Sequence, residues 1–376
     1  VRCRLVSDVP LGAFLSGGVD SATVVGIMSQ IAPEPVKTFS IGFEEQSHDE
    51  LHYARIAARA FATDHHEEIL RPNAIELLDK LVHHFDEPFG DPSALPTFMV
   101  SQMARRHVTV VLSGDGGDEA FAGYESHAVH RRDESFHRRV PAPLRAAVGA
   151  GLGAGARLTG HRKLTRVAGA VERANRPLAE RFYKSYDKRL RRRLFAPDVR
   201  SRLAAAREED AFRSLLGMQR FPDFLSGVLY ADTKSYMTHD ILVKVDRASM
   251  ACSLEVRAPL VDHRLLEFVA TIPSNLKLHG DTTKYIFKKT VESFVPREIV
   301  YREKHGFGVP IEAWFRRELR DLLREELLER RDEAAEFFDR GFVETMLHQH
   351  TSGARDWSIQ LWPLLVFRLW WRRWKP

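Results

Sequence analysis

Cysteine is almost missing from this chain, which holds two, Cys3 and Cys252, in 376 residues. Two cysteines cannot build a disulfide framework, so a reducing, cytoplasmic location is expected. Long apolar runs are missing as well. The longest near the C-terminus, residues 361–367, contains Pro363 and stops at Arg368; it is too short to span a bilayer, and no signal peptide is expected. Charge imbalance is also slight. Lys and Arg number 56 against 51 Asp and Glu, a net charge of +5, which suits small anionic ligands and does not by itself call for nucleic acid. No G-x-x-x-x-G-K-[ST] stretch occurs, which excludes the P-loop of kinases and GTPases.

What is present is a chain able to bury a core: 44% of residues are hydrophobic, enough for one large domain or two ordinary ones. From Leu11 to about Tyr124, short β-rich runs ("GAFLS", "KTFSIGF", "HHEEIL", "VTVVLSG") alternate with segments of helical period such as Asp49–Ala62 and Pro96–Arg106. That alternation predicts an α/β fold, a parallel sheet flanked by helices. After Tyr124 the β-rich runs largely disappear. "VGAGLGAGARLTG", Val148–Gly160, reads as a Gly/Ala-rich linker into mostly helical sequence. The expected division is a nucleotide-binding core over residues 1–140 and a mainly helical part over residues 141–376, with no internal repeat.

Two Gly-rich corners carry the chemistry. In "FLSGGVDSATVV" a buried strand breaks at Ser16-Gly17-Gly18 and a helix follows. Backbone N–H groups at such a strand-to-helix turn point outward and the helix dipole favours negative charge, while the glycines allow a phosphate close to the main chain. Asp20 is anionic and cannot favour phosphate directly. It makes sense as a ligand to a hard cation such as Mg²⁺, with Ser16 and Ser21 donating hydroxyl hydrogen bonds. An ordinary capped turn is the plainer alternative, and the whole strand, S-G-G-x-D-S, helix run is what favours a phosphate site. The second corner, "SGDGGDEAFAGY", Ser113–Tyr124, again ends a strand and adds Asp115, Asp118 and Glu119. In a parallel sheet both corners fall at the carboxyl ends of strands, so Asp20 and Asp118 are expected to face one Mg²⁺–pyrophosphate from two sides. A calcium loop is the competing reading, and the EF-hand spacing fails.

"SGGVDS" resembles the pyrophosphate loop of the ATP pyrophosphatases, which cleave ATP between the α and β phosphates. With the second corner, and with "DEPFGDPSALPT" (Asp86–Thr97), "ILVKVDRASMACSLEVRAPLVDHRLLEF" (Ile241–Phe268), "TKYIFKK" (Thr283–Lys289) and "KHGFGVP" (Lys304–Pro310) in order, the chain resembles the synthetase domain of the asparagine synthetase B family. The resemblance implies an adenine nucleotide alpha hydrolase-like, Rossmann-like fold. It also implies adenylation of a carboxylate, aspartate first among candidates, with ATP and Mg²⁺, followed by transfer of ammonia. Ser16, Gly17, Gly18, Asp20 and Ser21 would form the pyrophosphate loop, and Asp20 and Asp118 would hold Mg²⁺. The backbone near Phe14 and Ile41, with Ser113 and Gly114, would hold adenosine. Lys284 would reach the phosphates and stabilise charge as pyrophosphate leaves. Asp115 stands where the family usually carries glutamate, and is assigned to the acyl-adenylate step as acceptor of a proton from ammonia.

Blander readings stand beside these. Without the family match, Lys284 would be a surface partner of Asp281. Asp246, Arg247, Glu255 and Arg257 read as a structural ion-pair set, with Glu255 the only member placed near chemistry. The pairs His65–His66 and His83–His84 look like metal ligands, but His65–His66 is a poor chelate on a strand, where neighbours face opposite sides. "HDELH" (His48–His52) lacks the zincin glutamate, and "GAGLGA" (Gly149–Ala154) follows no strand.

Glutamine-dependent members of the family carry an N-terminal glutaminase domain whose first residue is cysteine. This sequence starts at Val1 inside the synthetase region, so the expectation is a chain that does not hydrolyse glutamine and takes ammonia from solution or from a glutaminase domain or subunit. A homodimer is compatible with that expectation. Two alternatives remain. A β-lactam or peptide-ring former would use the same adenylation, but the position matching Asp115 resembles a tyrosine in the β-lactam formers. A tRNA-modifying ATP pyrophosphatase is suggested by "KRLRRR" (Lys188–Arg193) and "WWRRWK" (Trp370–Lys375), although such clusters are more often solvated faces and packed tryptophans. The expected partners are therefore small molecules, with neither nucleic acid nor membrane.

Overall fold

The computed structural model describes residues 1–43, 51–70, 74–159, 161–176, 181, 186–205, 211–217, 220–302 and 308–375. The start of the 49–62 helix, Gly160, and residues 304–307 of "KHGFGVP" lie outside these residues, as do His48 to Glu50 of "HDELH".

The four β-rich runs form β1 (Leu11–Phe14), β2 (Lys37–Phe43), β3 (Asp64–Leu70) and β4 (Val110–Leu112). Between them run α1 (Val19–Ile31), α2 (Leu51–Ala60), α3 (Ala74–Phe85) and α4 (Ala94–Arg105). The sheet is entirely parallel, with the order β3-β2-β1-β4 and a fifth strand beside β4. Helices cover both faces, as a parallel sheet requires, and this is why β2 and β4 are buried almost throughout. Strand order reverses between β1 and β4, which opens a crevice at their carboxyl ends. The two Gly-rich corners both stand at that crevice.

Two expectations need correction. The segment 148–159, read as a linker, is part of a helix, α5 (Ala142–Thr159), packed against α6 (Arg162–Asn175). Its alanines and leucines are strong helix formers and outweigh the glycines, each of which costs about 1 kcal/mol relative to alanine. The fifth strand, β5 (Glu255–Arg257), comes from the sequence read as helical; Val256 lies beside Val111. Three residues are too short for alternation to register, and the neighbour β4 decides the conformation.

Apolar clusters lie on both sides of the sheet. One joins β2, α3 and α4 to the C-terminal helix, α7 (Ser358–Trp374). In α7, Trp362 is 2% exposed and stacks on Phe315. Its Arg368 is buried on Glu326 and Asp332, Arg372 pairs with Glu326 and Arg373 with Asp79, and the Trp374 ring stacks on His83. The Trp/Arg-rich tail thus packs and pairs within the fold, in line with the bland reading. No helix among the described residues is long and apolar enough to cross a membrane. Replacing Trp362 with alanine removes a large buried ring at this junction and should cost about 3–5 kcal/mol of stability, measured as a lowered midpoint in urea; an unchanged midpoint would contradict this account of the core.

Candidate active site

At the first corner β1 ends at Phe14 and the chain turns through Gly17 into α1, with Asp20 in its first turn. The loop is held by its own serines. The Gly18 N–H donates to Ser16 Oγ (3.3 Å), the Ser16 N–H donates to Ser21 Oγ (3.2 Å), and Ser21 Oγ donates to the Gly18 carbonyl (3.1 Å). At the second corner β4 ends at Leu112, and Asp118 and Glu119 open a short helix, Gly117–Phe121. Because β1 and β4 are neighbours, the corners meet. A methyl group at Gly117 would overlap the Asp20 carboxylate, and one at Gly123 would overlap Asp118 and the Lys284 side chain. Glycine at these two positions lets three charged side chains converge.

Lys284 comes from far along the chain, at the N-cap of the helix Tyr285–Val291, with a left-handed backbone (φ 52°). Its ammonium bonds the Asp20 carboxylate and lies 2.7 Å from Asp118 Oδ1. Only 3% of the residue is exposed. Burial opposes its charge, yet Asp118 and Asp20 more than offset this and hold its pKa above the ordinary lysine value. The surface pairing with Asp281 is excluded: Asp281 is exposed and lies 3.8 Å from Arg132.

These groups line a cavity of about 530 Å³. Phe14, Ser16, Gly18, Asp20, Ser21, Ile41, Ser113, Gly114, Asp115, Asp118 and Lys284 all face it; Gly17 and Glu255 do not. Gly17 makes the turn with a positive φ of 70°, packed closely on Tyr53 and Ala54. Glu255 begins β5, at the end of the sheet away from the crevice, where its half-exposed carboxylate pairs with Arg257 at 2.6 Å. Of the expected ion-pair set that contact is present, while Arg247 reaches Glu87 at 3.1 Å. Nor do the histidine pairs chelate: His65 bonds Thr38 while His66 stacks on Phe39, and the ring of His83, next to His84, stacks on Trp374. Among the described residues no three or more His, Cys, Asp or Glu are grouped to hold a metal. Two carboxylates at one point, in a cradle that a Cβ would fill, are the set Mg²⁺ takes when substrate phosphates and water complete its shell, so Asp20 and Asp118 fit that ion.

Asp115 sits in the wall beside Ser113. Burial raises its pKa, with the Ser113 hydroxyl and the Lys244 charge partly opposing. Around it lies a polar group that sequence reasoning left without a role. The Lys244 ammonium, 7% exposed as a residue, is 2.9 Å from Asp91 Oδ2 and donates to Ser93 Oγ at 2.8 Å. Tyr236 and Asp240 stand on a π-helical stretch, Thr233–Ile241, a distortion often found at functional sites. Tyr124 joins its hydroxyl to the buried Glu119 carboxylate and its ring lies 5.7 Å from that of Tyr236. The available signal was a lysine inside the apolar helical run "ILVKV". A lysine there is buried and needs an acidic partner.

Over residues 1–372 the sequence matches the family described as asparagine synthase. The chain belongs to the asparagine synthase family. It is 32% identical to "Asparagine synthetase [glutamine-hydrolyzing] 1" of Bacillus subtilis (strain 168), over 98% of this chain and 57% of that protein. A "Putative asparagine synthetase [glutamine-hydrolyzing] 2" of Methanocaldococcus jannaschii is 51% identical over a shorter stretch, 39% of this chain and 28% of its own length. More distant is "Amidase chyE" of Penicillium rubens, 26% identical over 84% of this chain and 51% of its own. The chain spans little more than half the length of the curated relatives it matches along nearly its whole length.

Burial and the neighbouring Asp91 carboxylate push the Asp240 pKa up to about 7, with Lys244 partly opposing. Between the ordinary carboxylate range and about pH 7 the folded protein therefore holds a proton that the unfolded chain has lost, so stability falls as pH rises through this window and levels off above it. Asp240→Asn abolishes that slope. Its gain in Tm over the parent should be larger at pH 8 than at pH 4.5, corresponding to about 1–3 kcal/mol; equal differences at both pH values would rule out this titration.

Proposed function

We propose that this chain carries out carboxylate adenylation and amide formation: a carboxylate, aspartate the first candidate, attacks the α-phosphorus of ATP, pyrophosphate leaves, and ammonia displaces AMP from the acyl carbon. The observation that carries this reading is the convergence of Lys284, Asp20 and Asp118 where two strand-end corners meet. The Gly-rich turn at the N-terminus of α1 suits the pyrophosphate, and the apolar surface near Phe14 and Ile41 suits adenosine. Asp20 and Asp118 would hold Mg²⁺, which when bound with the nucleotide neutralises phosphate charge. Lys284 supplies a preorganised cation for the charge that develops as the Pα–O bond to pyrophosphate breaks. Ammonia must lose a proton as the amide forms. Asp115, in the same wall, is the proposed acceptor, and its raised pKa brings it nearer to that task than an exposed carboxylate. An acidic residue at this position supports the amide-forming reaction over ring closure.

Exchange of labelled pyrophosphate into ATP, screened against a panel of carboxylic acids including aspartate, reports adenylation without the second nucleophile. At least one acid should support exchange; silence across the panel with folded protein would defeat the proposal. Asp20→Ala or Asp118→Ala should abolish exchange while the fold persists.

Lys284→Ala should lower the adenylation rate by about 10² or more, seen in pre-steady-state pyrophosphate release, with a smaller change in nucleotide affinity. Lys284→Arg should recover little, since a planar fork replaces a compact point charge. Rates within a few-fold of the parent in both variants would leave the chemistry without its cation.

A further inference from the structure

The two carboxylates that fit Mg²⁺ already share a partner. Lys284 bonds Asp20 and lies 2.7 Å from Asp118 Oδ1, so its ammonium and a divalent ion contend for the same oxygens. The lysine has little freedom to step aside. Its Cα is held in a left-handed conformation (φ 52°) at the start of a helix, its side chain passes where a methyl group at Gly123 would stand, and the residue is 3% exposed. An ammonium driven off both carboxylates without another anion to meet would be a buried, uncompensated charge, which costs several kcal/mol. Phosphate oxygens are the anions that can receive it. The neighbouring wall is also cationic: Lys288 and Arg302 line the same cavity, with the Arg302 guanidinium over the Tyr53 ring (4.7 Å) beside the first corner.

We propose that Lys284 gates the metal site: Asp20 and Asp118 accept a divalent ion only together with a nucleotide, whose phosphates take over the ammonium as the ion takes over the carboxylates. Metal and nucleotide then bind with positive coupling, of the usual size for such linkage, about 5–150-fold, and by reciprocity each tightens the other. The gate prevents free metal from pre-empting the carboxylates. It also hands Lys284 to the phosphates at the moment the nucleotide arrives. The inference rests on the proposed nucleotide site, and its test uses neither an acceptor nor turnover.

Mn²⁺, in place of Mg²⁺, is titrated into the purified chain without nucleotide and followed by loss of the free-ion EPR signal, for the parent and for Lys284→Met. The variant should bind Mn²⁺ about tenfold or more tightly than the parent, and the added site should vanish in Lys284→Met/Asp20→Asn. An affinity in Lys284→Met equal to or weaker than the parent's overturns the gate. Should that variant not fold, the parent alone decides by calorimetry. A non-hydrolysable ATP analogue should bind at least about fivefold more tightly with saturating Mg²⁺ than with EDTA, and Mn²⁺ alone should bind weakly. Equal analogue affinities, or tight Mn²⁺ binding without nucleotide, overturn the gate while leaving the nucleotide site standing. No analogue binding with Mg²⁺ would defeat the nucleotide site itself, and the gate with it.

Discussion

One buried ammonium against two carboxylates organises the site. Lys284 reaches Asp20 and Asp118 from a segment more than 160 residues distant in sequence from the nearer of them. An unpaired charge at that depth would cost several kcal/mol, and sharing the lysine between two carboxylates removes much of that cost. The carboxylates suit a divalent ion, and the lysine suits phosphate. The electrostatics required to bury the cluster are those that a metal nucleotide can exchange with.

The sheet supplies the geometry. Reversal of strand order between β1 and β4 brings two strand ends side by side; glycine at 117 leaves room for Asp20 of the first corner, and glycine at 123 leaves room for Lys284. The site needs no long insertion of its own. Its far wall comes from the later part of the chain, through Lys244 and the π-helical stretch bearing Tyr236 and Asp240, and β5 ties that part to the sheet edge.

This far wall differs in character from the phosphate end. Lys244 is held by Asp91 and Ser93, while Asp115 and Asp240 sit near it with raised pKa values. The cavity thus has a cationic and metal-seeking end and an acid-rich end around a single lysine. A reaction that joins an anionic nucleotide to a carboxylate and then releases a proton from nitrogen can use both.

The sequence by itself determined the parallel α/β core, the two Gly-rich corners and eleven of the residues that line the cavity. These features are local: a strand, a glycine turn and a helix start within about a dozen residues, where backbone geometry and dipole direction follow from residue type. Local reasoning failed where contacts over long range decide the outcome. Residues 148–159 looked like a linker because glycine composition was weighed without the helix they pack on, and β5 was invisible because three residues take their conformation from β4. Glu255 was placed near chemistry, but strand direction puts it at the wrong end of the sheet, and Lys244 had no role until Asp91, 153 residues away, was beside it. Only the tertiary structure could decide whether Lys284 was a surface residue or a buried one. Burial and charge pairing are properties of the assembled cavity, set by which distant carboxylates a side chain meets.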